Sequence, residues 1–172
     1  MNILLDADFL LHLQYSGCSR ILLQLAAAEK WTLYIAQKAK AESTRKQQLD
    51  AVINAELMNG NIKEIQSSPS TFSALRALYA NLGDGELESI AIAQDCLDKI
   101  TNPYMILSDD RTARNCAKEL GIATADILTF FVLANNSNLL PKQKVIQYIK
   151  RLAKHSYTVK SEVYSVLLKE LN

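Results

Sequence analysis

Four acidic positions in this chain are placed where carboxylates could converge on a divalent cation. Asp6 ends the apolar run Ile3-Leu4-Leu5. Glu42 lies in a polar, helix-like stretch. Glu86 sits within Gly83-Asp84-Gly85-Glu86-Leu87-Glu88. Ser108-Asp109-Asp110 directly follows the apolar run Tyr104-Met105-Ile106-Leu107. Converging carboxylates repel one another, so such a cluster is tolerable only if it shares protons or holds a cation such as Mg²⁺ or Mn²⁺.

Two of these groups follow short runs that read as buried strands, and sites in open α/β sheets are built at strand ends. Strands are expected at 2–6, 32–35, 62–65, 104–107 and 122–124. The intervening segments read as helices: 8–30 broken near Ser16-Gly17, 37–45, 46–59, 67–82, 85–97 opened by Asp84, 110–120, 126–135, 141–154 and 159–171. Strands alternating with helices predict an α/β fold with a mainly parallel central sheet of four or five strands, covered on both faces.

A chain of 172 residues predicts one domain with a real core. Gly and Pro number only 5 and 3, which argues for helices and against a many-turned sandwich. The net charge of +1 conceals an asymmetry. Residues 1–137 carry 12 basic and 16 acidic side chains, whereas residues 138–172 carry 7 and 2. The acidic groups thus lie in the acidic part, and the basic helical C-terminal part from about 138 could follow a phosphate backbone or be a solvated helix face. Three cysteines without metal-ligand spacing predict free thiols in a reducing cytoplasm. No signal core or membrane span is visible. Dinucleotide and phosphate-binding loops and serine nucleophile elbows are likewise absent.

Each acid has a plainer explanation when taken singly. Asp6 could cap a helix, Glu42 could be a surface residue, Glu86 could answer a helix dipole, and one of Ser108, Asp109 and Asp110 could cap the following helix. Yet Glu86 shares a helix face with Ile90 and Ala93, which puts it at the rim of a buried face. Three capping residues in a row exceed what one helix needs. All four groups can also lie on one side of a parallel sheet.

Asn2 to Leu10, Leu82 to Ala93, and Ile106 to Arg114 with Glu119-Leu120-Gly121 together resemble the acidic motifs of the PIN-domain family, in their order and spacing. The resemblance implies a three-layer PIN-like fold and an Mg²⁺- or Mn²⁺-dependent nuclease, usually an endoribonuclease. Many relatives are VapC-type toxins neutralised by an antitoxin. Carried over, the catalytic quartet is Asp6, Glu42, Glu86 and Asp110, with Asp6, Glu86, Asp109 and Asp110 as metal ligands. Ser108, Arg45, Arg111 and Arg114 are the expected contacts to RNA. The third position is Glu here, where many relatives have Asp. An antitoxin over the cleft is expected, and self-association as a homodimer is a second outlet for the apolar helix bearing Ile127, Leu128, Phe130, Phe131 and Val132; a fuller core is the third. Two other readings compete. One is a haloacid-dehalogenase-like phosphatase using Asp6 and Asp8, which leaves Glu86 unexplained. The other is a catalytically silent PIN-like binding module.

Overall fold

The computed structural model describes residues 1–45, 49–96, 103–155 and 157–171, leaving aside the side chain of Arg45. Its strands are β1 (Asn2–Leu5), β2 (Thr32–Ala36), β3 (Ile62–Ile65), β4 (Tyr104–Leu107) and β5 (Ala123–Ala125). They form a five-stranded sheet in the order β3-β2-β1-β4-β5. Every pairing is parallel. Apolar runs of four residues suit such strands, because helices cover both faces and no alternation is needed. Ile3, Leu4 and Leu5 are fully buried.

Helices α1 (Ala7–Ser16) and α2 (Ser19–Ala28) link β1 to β2. Gly17 separates them at φ +77, a conformation open to glycine, and closes α1 with hydrogen bonds to Leu13 and Gln14. Helices α3 (Gln37–Arg45) and α4 (Ala51–Met58) link β2 to β3. Helices α5 (Pro69–Leu78) and α6 (Asp84–Asp95) precede β4, and α7 (Arg111–Glu119) precedes β5. Helices α8 (Ile127–Asn136), α9 (Lys142–Ala153) and α10 (Ser161–Glu170) complete the described chain.

The expected α/β architecture is therefore present, with local corrections. Of the stretch read as helix over 46–59, residues 46–48 lie outside the described residues, and α4 begins at Ala51, where the Asp50 carboxylate accepts the Ile53 N–H and fixes the start. Helix α5 stops at Leu78 rather than near Leu82. Asp84 is not the cap of α6: Gly83 holds that position and Asp84 is the first helical residue, ion-paired to Arg76. The last strand is shifted by one residue, to Ala123–Ala125. Leu97, expected at the end of α6, lies outside the described residues.

Most of the apolar face of α8 is absorbed inside the fold, whereas Val132 is only partly buried. Ile127, Phe130 and Phe131 are fully buried and Leu128 nearly so, with Phe130 packed edge-on against Phe9 of α1 at 5.6 Å between ring centroids. No helix among the described residues is long and apolar enough to cross a membrane.

Parallel pairing puts the carboxyl ends of all five strands on one edge. The strand order reverses beside β1: the chain runs outward through β2 and β3, then returns to place β4 on the other side of β1. The register sets Leu5 against Leu107, so the residues that follow them, Asp6 and Ser108, emerge side by side at this switch point.

Candidate active site at the sheet edge

Asp6 occupies the position before α1, yet its side chain makes no capping bond to that helix. Its carboxylate accepts a hydrogen bond from Ser108 Oγ at 3.0 Å, and its backbone N–H is tied to the Leu107 carbonyl at 3.0 Å. Asp6 is 2% exposed. Burial raises its pKa from 3.8 to about 7; the nearby Glu86 and Asp8 carboxylates push in the same direction, against the Ser108 hydroxyl and the Ala7 N–H.

Glu86 lies half-buried at the start of α6 and folds back to accept the Gly83 N–H at 2.9 Å. Burial raises its pKa, and the charges of Asp110, Asp8 and Glu42 raise it further, against the Gly83 N–H. These mutual influences bring Asp6, Asp8, Glu42, Glu86 and Asp110 into one electrostatic neighbourhood.

Glu42 reaches it from α3 by accepting the Gly85 N–H at 3.1 Å. That contact depends on the close approach of α3 to α6. A Cβ at Gly85 would meet the backbone of Ala39 at 2.8 Å, so only glycine lets the helices come together here. Asp110 holds the start of α7, one oxygen accepting the Ala113 N–H at 2.7 Å. Its own N–H donates to Ser108 Oγ at 3.2 Å. Buried Ser108 therefore links Asp6 to Asp110 and sets their spacing.

Asp109 is directed elsewhere. One oxygen lies 2.5 Å from His12 Nδ1 and the other accepts the Ile127 N–H at 2.9 Å. Tyr157 also hydrogen-bonds this carboxylate, and its ring packs edge-on against His12. Asp109 thus fastens β4 to α1, α8 and the segment after α9. Arg114 is similarly committed: its guanidinium donates to the Ser108 carbonyl at 2.8 Å and pairs with Asp126 at 3.5 Å. Arg111 is exposed on the first turn of α7. The side chain of Arg45 lies outside the described part.

Two carboxylates acquire parts that the sequence did not suggest. Asp8 has a part in the sequence only as a phosphatase acid, yet its charge raises both Asp6 and Glu86. It sits in the first turn of α1, whose side chains lean back towards the helix start and so towards Asp6. Glu88 is 1% exposed and accepts the Lys38 N–H at 2.7 Å, anchoring the first turn of α3 to α6. Glu86 and Glu88 thus look alike in sequence and serve different ends. Their spacing of two on a helix, which turns them to different faces, was the available signal.

Among the described residues, no ion pair neutralises Asp6, Asp8, Glu42, Glu86 or Asp110. Nor do any three His, Cys, Asp or Glu side chains there form a ready-made ion cage. Glu42, Glu86 and Asp110 each spend an oxygen on a backbone N–H. The donor set still fits a hard cation. It consists of carboxylate oxygens, no ion pair among the described residues offsets it, and burial, then the neighbouring charges, raises the pKa of its innermost member to about 7.

A family model described as a PIN domain matches residues 2–172. No curated protein matches the chain.

Proposed function

The chain belongs to the PIN-domain family, whose members are generally metal-dependent nucleases, and from that premise we propose that it is an endoribonuclease acting with Mg²⁺ or Mn²⁺. The observation that carries this reading is the buried Asp6 carboxyl, pushed to about 7 by burial and by Glu86 and Asp8, in a group of acids that no ion pair offsets among the described residues. Asp6, Glu86 and Asp110 would hold the ion, with Glu42 and Asp8 completing the negative rim. Held there, the ion would supply Lewis acidity towards the scissile phosphate and an attacking water.

The chain's own part is to position the carboxylates. Ser108 fixes the Asp6–Asp110 pair by donating to one and accepting from the other. Gly83 and Gly85 hold Glu86 and Glu42 by their N–H groups. Asp109 and Arg114 brace the β4 end from behind rather than meeting the substrate. RNA chosen through unpaired bases in loops or ends suits an open sheet edge.

The family match sets aside the dehalogenase-like phosphatase. A toxin role with an antitoxin partner, self-association and a cytoplasmic location belong to this proposal; the free thiols Cys18, Cys96 and Cys116 accord with the last. RNA should be cut by the purified protein with Mn²⁺ or Mg²⁺, and cutting should stop on chelation. Glu86→Gln and Asp110→Asn should each remove it. Activity persisting in both would overturn the site. Purification from the native cell should bring an antitoxin along; a chain that purifies alone and sediments as a monomer would remove the toxin proposal and leave the nuclease.

A further inference from the structure

Lys38 stands on the first turn of α3, immediately beyond the carboxyl end of β2. It therefore lies on the same sheet edge as Asp6 and Ser108, on the β3 side of the acidic cluster. Its backbone is anchored by the buried Glu88 carboxylate. Its ammonium sits 4.8 Å from the centroid of the Phe72 ring. Phe72 belongs to the first turn of α5, which likewise begins on this edge after β3. Ser68 and Thr71 hold that turn to Asp95 of α6.

Arg76, one turn further along α5, lies 5.6 Å from the same ring. It is occupied by the Leu82 carbonyl and by Asp84, and so braces the turn that presents Glu86. Lys38 differs from it. Among the described residues Lys38 takes part in no ion pair, so its charge is unspent. Lys38 and Glu42 share a face of α3 at a spacing of four, about 6 Å along the axis. A half-buried cation, steadied over an aromatic face one turn from an acid of the site, differs from a freely moving surface lysine.

We propose that Lys38, held in place by Phe72, binds a backbone phosphate of the RNA next to the scissile one, on the β3 side of the acidic cluster. The proposal rests on the ribonuclease reading above. The acidic cluster repels a polyanion, so a strand entering it needs a fixed positive charge beside the entry. Lys38 is a positioning residue: it sets the strand's register and takes no part in bond breaking. Phe72 limits the arc over which the ammonium can move.

The test uses the full chain carrying Asp6→Asn, so that RNA is bound without being cut. Affinity for a fluorescent single-stranded RNA is measured over a series of salt concentrations. One lost phosphate contact on a single strand lowers the slope of log K against log salt by about 0.7. Lys38→Gln should lower it by that amount and weaken binding several-fold at low salt. Lys38→Arg should restore the slope. Phe72→Leu should weaken binding while keeping the slope, because the charge remains but is less well placed. Melting temperatures identify any variant whose loss is one of folding, and Lys38→Glu then serves as the second probe, expected to weaken binding further. An unchanged slope in folded Lys38→Gln, beside clear RNA binding by the parent, would overturn the subsite and leave the nuclease reading intact. Absence of RNA binding by the parent would overturn both.

Discussion

Asp6→Asn should abolish RNA cleavage and, in the presence of chelator at pH 8, raise the melting temperature. The two effects share one cause. Asp6 is buried, and its pKa is lifted from 3.8 to about 7 by burial and by Glu86 and Asp8. One pKa unit corresponds to about 1.4 kcal/mol, so keeping this carboxylate ionised above pH 7 costs the metal-free fold on the order of 4 kcal/mol. The folded state retains the proton between about pH 4 and pH 7, whereas the unfolded chain does not. Stability on this account falls as pH rises through that window, and the loss is complete above it. Asparagine removes the charge at nearly constant size and can still accept from Ser108 Oγ. The variant should melt higher by on the order of 10 °C at pH 8, with the difference shrinking towards pH 4. Cleavage should fall by more than the ~10–100-fold typical of losing an outer-sphere partner of a metal. A variant that melts lower at pH 8, or cuts as the parent does, would show that Asp6 is not a strained ligand.

The second large effect is stabilisation by the ion itself. At about 100 times its dissociation constant a ligand adds about 2.7 kcal/mol of stability. Mn²⁺ or Mg²⁺ should therefore raise the melting temperature of the parent at pH 8 by several degrees. The shift should dwindle at pH 5.5, because the ion must then displace the Asp6 proton, and affinity drops about tenfold for each pH unit below the Asp6 value. Asp6→Asn should respond weakly at either pH. Equal shifts at pH 5.5 and pH 8 would mean that ions bind elsewhere on the chain, and no shift at either pH would remove the metal from the account.

Strands β1 and β4 were legible because a parallel sheet covered on both faces asks for short unbroken apolar runs, and Ile3-Leu4-Leu5 and Met105-Ile106-Leu107 are such runs ending in acids. The switch point followed from their pairing. Asp109 was misleading because it adjoins Asp110. Successive side chains diverge as the chain leaves a strand, and the partners that draw Asp109 away, His12 and the Ile127 N–H, are distant in sequence. Arg114 resembles a phosphate contact until Ser108 and Asp126 are seen to occupy it. Glu42 carries almost no local signal: α3 is mostly polar, and the residue gains its place only through Gly85, which lets α6 approach. Asp50 sets the start of α4 by capping, a local effect that hydrophobic periodicity through Leu49 conceals.

On the proposed function, this sheet edge hydrolyses RNA with water as the nucleophile, under the control of Asp6. The most direct measurement is cleavage of an end-labelled RNA by the purified parent and by Asp6→Asn, with Mn²⁺ and with chelator, followed by analysis of the new ends. The parent should cut with Mn²⁺ alone and Asp6→Asn should not, and the products should lack 2′,3′-cyclic phosphate, because the ribose hydroxyl is not the attacking group. Cutting that survives chelation, persists in Asp6→Asn or leaves cyclic phosphate ends would contradict it, as would intact RNA under every condition.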